Sequence, residues 1–332
     1  MRVLIVGLGS IGRRHIDNLR CIDKDAFIVV WHQSPGRSDQ DAAIPAVDSV
    51  VYDIEGALAQ KPEMAFVTGP ATLHVETALV LARQGIDLFI EKPLADSLRG
   101  VEDLLDECCK RSLVLMVGYN FRFCQSMLGL REALISGGVG RVLGVRAEVG
   151  QFLPDWRPGV DYRGTVSARL DLGGGVILEL SHELDYIRWL IGEVEAVSAR
   201  AEHVSDLEID VEDMAEIVLK FRCGAIGSVH LDMVQRSPVR ACRIIGSEGT
   251  LLWDGIRHRV DWFSAQTGNW SSLYRDEDMD CSRGMYIDEV RHFLDCVKNR
   301  QTPLVTGEDG RRALEIALAA RESSATGREI QI

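Results

Sequence analysis

The apolar run Val3-Leu4-Ile5-Val6 leads directly into Gly7-Leu8-Gly9-Ser10-Ile11-Gly12, after which Ile11, His15, Ile16 and Leu19 recur at helical spacing. A strand, a glycine-rich turn and a helix in that order give a GxGxxG pattern its meaning, because each glycine then has its own steric task. Gly7 makes the tight turn, Gly9 lets the backbone approach a pyrophosphate, and Gly12 lets helix and strand pack closely. The helix start, at Ser10 and Ile11, offers N–H groups with no intrahelical acceptor, and the helix dipole favours an anion there. The segment therefore reads as a dinucleotide-binding loop. Glycines that merely end a buried strand are the plainer alternative, and the agreement of strand, turn and helix speaks against it.

A chain of 332 residues exceeds one ordinary core, so two domains are expected, a dinucleotide-binding domain over 1–120 and a substrate and assembly domain over 121–332. Up to about residue 118, the apolar runs Val3–Val6, Ala26–Trp31, Met64–Thr68, Asp87–Ile90 and Val114–Val117 alternate with helical stretches. Ser49–Gln60 and Val75–Gln84 are two of those helices, and Gly85 ends the second as a C-cap. This is the βαβ rhythm of a doubly wound parallel sheet. After Phe123 the pattern changes. A helix over Ser126–Ser136 closes at Gly137-Gly138, and long alternating segments follow: Val142–Gly150, Val194–His203, Met214–Phe221, Gly224–Met233, Ala241–Gly246 and Thr250–Asp254. Two further helices, Met285–Asn299 and Gly307–Ala325, come last. The expected fold class is α/β: an N-terminal Rossmann sheet plus a C-terminal α/β domain with a large, open, mostly antiparallel sheet.

The bulk numbers narrow the function. A composition 46% hydrophobic and 26% charged is that of a soluble enzyme, and no apolar run is long enough to span a membrane. A net charge of −13 repels nucleic acid and anionic membrane, so neither is an expected partner. The eight cysteines show no CxxC spacing, which suggests a reduced, cytoplasmic setting and no metal site. Because a core strand begins at once, no signal peptide is expected.

The choice of cofactor rests on the second strand. In NAD-binding versions of this loop an acidic side chain about 20 residues on takes the ribose 2′-hydroxyl. Here Phe27–Trp31 runs into His32-Gln33-Ser34-Pro35-Gly36-Arg37, with no carboxylate at the strand end. Gln33, Ser34 and Arg37 suit a 2′-phosphate, so NADP is expected over NAD.

Further along stand Thr68-Gly69-Pro70-Ala71-Thr72-Leu73-His74, Glu91-Lys92-Pro93, Gly118-Tyr119-Asn120-Phe121-Arg122-Phe123, and Gly173-Gly174-Gly175 leading to His182 and Asp185. With the glycine loop, and a tail running from Glu289 and Phe293 through Ala313–Ala325 to Ser324 and Gly327, the chain resembles the Gfo/Idh/MocA family over essentially its whole length. The resemblance implies NAD(P)-dependent oxidation or reduction of a sugar or sugar derivative, a sugar acid or nucleotide sugar among the candidates, by hydride exchange at a hydroxyl or carbonyl carbon. It puts Thr68, His74, Glu91 and Lys92 with the cofactor and Asn120, Arg122 and Asp185 with a carbohydrate substrate. It also implies a broad sheet that pairs with another subunit, as a homodimer or homotetramer.

The residues carry a chemistry of their own. A lysine just after a strand end of a doubly wound sheet lies at the ligand crevice, where Lys92 would hydrogen-bond the reacting oxygen; the plain alternative is a surface lysine. Gly175–Leu190 reads as one helix, on which Glu179, His182 and Asp185 step by three, so that a carboxylate orients an acid/base imidazole. Glu179 departs from the family pattern, which has an aspartate four residues before the histidine. Between them, the loop Phe152–Gly164 carries Trp156, Arg157, Asp161, Tyr162 and Arg163, side chains suited to sugar faces and anionic groups, or else a solvated loop whose tryptophan caps the core. Two rival functions keep the same cofactor: a redox-neutral NAD-dependent glycosidase and a non-catalytic dinucleotide sensor.

Overall fold

In the computed structural model, residues 1–32, 47–276 and 281–332 are described. Gln33, Ser34 and Arg37 lie outside the described residues. The chain forms two compact units, one of Met1–Tyr119 with Tyr286–Arg311, the other of Asn120–Met285 with Arg312–Ile332.

The first unit is built on six parallel strands in the order β3-β2-β1-β4-β5-β6. These are β1 (Arg2–Val6), β2 (Phe27–Trp31), β3 (Ser49–Val51), β4 (Met64–Val67), β5 (Asp87–Ile90) and β6 (Leu115–Val117). Helices α1 (Ser10–Ile22), α2 (Ile54–Ala59), α3 (His74–Ala82) and α4 (Val101–Arg111) make the crossovers. Val3, Leu4, Ile5, Phe66, Leu88 and Ile90 are fully buried, as strands covered on both faces require. The strand order reverses between β1 and β4, which opens a ligand crevice at their C-terminal ends. One expectation fails here. Ser49–Gln60 is not one helix, because Val50 and Val51 pair with Val30 and Trp31 as an edge strand, and α2 starts only after Asp53 caps it by accepting from Gly56 N at 2.6 Å.

The second unit holds a nine-stranded sheet in the order β14-β13-β12-β11-β7-β10-β9-β8-β15. It begins with α5 (Gln125–Ile135) and β7 (Val142–Gly150), then α6 (Val176–Glu179) and α7 (His182–Ile191). The strands β8 (Val194–Glu202), β9 (Met214–Phe221), β10 (Ile226–Asp232), β11 (Val239–Gly246), β12 (Gly249–Asp254), β13 (Arg259–Ser264) and β14 (Asn269–Arg275) follow. All neighbours are antiparallel except β7 with β10. Alternation sets its two faces: along β9, Ala215, Ile217, Leu219 and Phe221 are buried while Glu216, Val218 and Lys220 are exposed.

Two helices and a short strand complete the chain: α8 (Cys281–Asn299), α9 (Gly307–Thr326) and β15 (Ile330–Gln331). Residues 286–311 group with the first unit, not with the rest of 121–332 as the sequence suggests. The reason is local packing. Phe293 stands edge-on to Phe66 and Phe89, at 5.3 and 5.6 Å between ring centroids, and Val117 N donates to Val305 O at 3.1 Å. Among the described residues, no helix is long and apolar enough to cross a membrane.

Candidate active site

In the first unit, the glycines of the loop after β1 differ in what surrounds them. Gly7 has φ +97°, a left-handed conformation, and a Cβ there would lie 3.0 Å from Gly69 N. A Cβ on Gly12 would lie 2.3 Å from Gly7 O and 2.8 Å from Thr68 Oγ1, so only glycine lets α1 approach the loop. Gly9 is the opposite case. Its φ is −66°, any residue could adopt it, and a Cβ would meet no atom within 4 Å. The open side of Gly9 and the start of the 13-residue α1, which carries no acidic residue in its first turn, form a cradle that fits a dinucleotide pyrophosphate.

Thr68 and His74 serve the loops rather than reaching out. Thr68 Oγ1 donates to Val6 O at 2.9 Å, and His74 lies between Pro93 O, 3.0 Å from Nδ1, and Gly69 O, 2.9 Å from Nε2. Burial lowers the His74 pKa, against the pull of those carbonyls.

At the end of β5, Glu91 is the hub of a buried cluster. Its Oε1 is 2.6 Å from Nε2 of the fully buried His15, and its Oε2 accepts from the Lys92 backbone N at 3.2 Å. His15 packs against the Phe66 and Phe89 rings at 5.1 and 5.0 Å. Glu289, from α8, is also fully buried, and burial, followed by the charge of Glu91, pushes its carboxyl well above the usual range. Glu91 thus holds the backbone of the half-buried Lys92, two residues past the end of β5; the Lys92–Pro93 peptide is cis.

The second unit alters several expectations. Gly175–Leu190 is not one helix: it breaks at Leu180-Ser181 into α6 and α7, so the face that would carry Glu179, His182 and Asp185 in succession is interrupted. The Glu179 carboxylate accepts from Ser167 Oγ at 2.7 Å. Asp185 takes both Nε and Nη2 of Arg122, at 3.0 and 2.6 Å, with the two side chains only 1% and 2% exposed. Arg122 and Asp185, expected to meet substrate, are instead closed off in each other; Asn120 is equally buried, at 2%. A buried fork of this kind satisfies both charges.

His182 begins α7, half-buried, with its ring edge-on to Phe121 at 5.1 Å. Phe121 in turn lines a cavity of about 460 Å³ shared with Gln151, Trp156, Arg240, Ile256 and His258. Trp156 is held by a hydrogen bond from Nε1 to Gln151 O at 2.9 Å. The rest of its loop is turned to other ends. Arg157 and Tyr162 line a cleft of only about 10 Å³, room for one water. Arg163 pairs with Asp161 and Glu208 at 2.9 and 2.7 Å on the surface, which pulls the Asp161 carboxyl below its usual range. Arg240 is a lining residue that sequence reading missed; one arginine in an alternating strand carries no signal of its own. Among the described residues, no group of three or more His, Cys, Asp or Glu is placed to hold a metal ion.

Family models match both parts of the chain: the oxidoreductase family with an NAD-binding Rossmann fold over residues 1–119, and the GFO/IDH/MocA C-terminal domain over residues 127–252. The chain belongs to the GFO/IDH/MocA family of NAD-binding oxidoreductases. It is 30% identical to myo-inositol 2-dehydrogenase of Thermotoga maritima, covering 100% of this chain and 98% of that protein. It is 25% identical to scyllo-inositol 2-dehydrogenase (NAD(+)) of Bacillus subtilis, covering 100% and 96%. The fold is that of levoglucosan dehydrogenase in complex with NADH, with a TM-score of 0.86 at 20% identity over 100% of this chain and 99% of that one.

Proposed function

We propose that the protein is an NAD(P)-dependent dehydrogenase or reductase of a sugar or sugar derivative. The observation that carries this reading is the first unit's crevice, where the open side of Gly9 meets the start of α1 and Lys92 follows two residues after the end of β5. Relatives named as inositol 2-dehydrogenases, matched over nearly their full length, support a ring substrate bearing several hydroxyls.

The nicotinamide, when bound, supplies the hydride acceptor or donor. Lys92 hydrogen-bonds the substrate oxygen and favours its ionised form, a contribution of the kind preorganised donors make. His182 takes or returns the hydroxyl proton. Glu91 keeps the Lys92 backbone in register, and the apolar wall of Phe121 and Trp156 covers the C–H faces of the ring. Gln33, Ser34 and Arg37 support NADP over NAD. Cys21, Cys108, Cys109, Cys124, Cys223, Cys242 and Cys296 form no disulfide, which suits a reducing cytoplasm, and the outer face of the nine-stranded sheet, where Val218 and Ile226 are 51% and 64% exposed, suits pairing with a second copy.

The test is a screen of inositols, aldoses, sugar acids and nucleotide sugars with NAD and with NADP, read as absorbance of the reduced cofactor. Stoichiometric accumulation of NADH or NADPH with one of them is the expected result. Turnover without net reduction, or binding without turnover, would refute it.

A further inference from the structure

The 460 Å³ cavity of the second unit has an unusual electrical character for this protein. The chain carries 50 acidic residues against 37 Lys and Arg, yet among the described residues lining the cavity there is no carboxylate. Its charged lining residue is Arg240, near the start of β11. The side chain is fixed from several directions. Nε is 2.9 Å from Oε1 of Glu183, which is fully buried, and the guanidinium lies 4.5 Å from the centroid of the Phe121 ring. Its backbone O accepts from Gly255 N at 2.7 Å, and a Cβ on Gly255 would fall 2.8 Å from Arg240 Cγ, so the glycine makes room for the stem.

An arginine beside a buried glutamate can simply neutralise it. Arg122 shows how this protein builds such a pair: both Nε and Nη2 are committed to Asp185, and both side chains are within 2% of full burial. Arg240 is built otherwise. Its contact with Glu183 is an ion pair, 2.9 Å at Nε, without the aligned hydrogen bonds of the Arg122 fork, its side chain stays 19% exposed, and it lines the cavity. A guanidinium held by an ion pair and set against a ring at a cavity wall is a planar fork of donors, the geometry that accepts one carboxylate.

We propose that Arg240 recognises a carboxylate on the substrate, so that the sugar this chain takes is an acidic one, a uronate- or aldonate-like molecule rather than a neutral polyol. The proposal rests on the reading of the protein as a sugar oxidoreductase, and it names the chemical class of the substrate. A single fork matches one carboxylate; a dianionic phosphate ester would call for a second permanent cation, and Arg240 is the one arginine or lysine among the described lining residues. The aromatic walls at Phe121 and Trp156 take the apolar faces of the ring, and the low polarity around them strengthens the charged contact.

Binding is measured without turnover on the NAD-loaded protein by calorimetry, with D-glucuronate against D-glucose, D-galacturonate against D-galactose, and glucose 6-phosphate. In the wild type each uronate binds at least ~10-fold more tightly than its neutral parent, the scale of one charge-assisted hydrogen-bonded pair. Arg240→Lys keeps a cation beside Glu183 but loses the fork, and the preference falls by about 10-fold or to none. Arg240→Gln combined with Glu183→Gln removes the pair together, leaves no buried charge behind, and abolishes the preference. If the double variant does not fold, the lysine variant, checked by thermal unfolding, decides. Equal binding of acid and neutral sugar, no measurable uronate binding, tighter binding of the phosphate, or a preference unchanged in Arg240→Lys would each overturn the proposal. If no sugar reduces the cofactor while the Arg240-dependent preference stands, the oxidoreductase reading fails and the carboxylate site survives.

Discussion

Gly9 and Gly12 sit three residues apart in one loop, and their surroundings separate binding from folding. A methyl on Gly12 lies 2.3 Å from the Gly7 carbonyl oxygen, roughly 1 Å inside ordinary contact, and that oxygen belongs to backbone which can yield only by moving the turn. Overpacking of this kind costs about 1–3 kcal/mol, which lowers the unfolding temperature by roughly 3–10 °C in a unit of this size. A methyl on Gly9 meets nothing within 4 Å, and its φ of −66° is open to alanine. The reduced freedom of the unfolded chain contributes about 0.4–1 kcal/mol, offset by the poorer N-cap, so the net change stays within about 0.5 kcal/mol. What the methyl does occupy is the side from which phosphate approaches, and NAD affinity falls by about 10-fold or more. Thermal unfolding without cofactor and titration with NADH fluorescence measure the two effects. Gly9→Ala binding NADH as tightly as wild type, or unfolding as early as Gly12→Ala, would refute the argument.

Other outcomes follow from the same geometry. Lys92→Ala and His182→Ala each lower turnover by about 10²-fold with little change in cofactor affinity, seen in steady-state kinetics beside NADH titration; near wild-type turnover in either removes that residue's role. Glu289 holds its proton in the folded state far above the range where an unfolded glutamate releases it, so stability declines as pH rises above the unfolded value near 4.3, by up to ~1.4 kcal/mol per pH unit, until the folded group itself ionises. Glu289→Gln cannot ionise, and its denaturation midpoint therefore gains on the wild type with rising pH; parallel profiles would contradict this. Asp185→Ala strands the Arg122 charge and costs about 3–5 kcal/mol in chemical denaturation, far more than a surface pair. Light scattering is expected to give two or four times the 36.8 kDa of one chain, and a monomer mass would rule out the paired sheet.

Much of this was legible because some sequence signals are purely local. The glycine loop and the runs that became β1, β2, β4 and β5 announce themselves through steric need and through burial on both faces. Other features depend on partners far along the chain. Val50 and Val51 become a strand only because Val30 and Trp31 offer an edge. The break at Leu180 is invisible to periodicity, since Val176, Ile177, Leu184 and Ile187 keep a helical apolar pattern on both sides of it. Arg122 and Asp185 looked available for substrate because polarity is visible in a sequence and mutual burial is not. Arg240 shows the converse: nothing local separates a cavity arginine from a solvated one on the same strand.

The placement of residues 286–311 bears on how the chain comes into being. Strand β6 and the Phe66–Phe89 pair are synthesised early, yet the Phe293 ring and the Val305 carbonyl that complete them come only after the 166 residues from Asn120 to Met285. At about 5–20 residues per second, the cofactor unit waits roughly 10–30 s on the ribosome with part of its aromatic core uncovered. It follows that a fragment ending at Tyr119, although it contains every strand of the Rossmann sheet, is an unfinished domain, and that a stretch translated only after most of the second unit is what closes the first domain to appear.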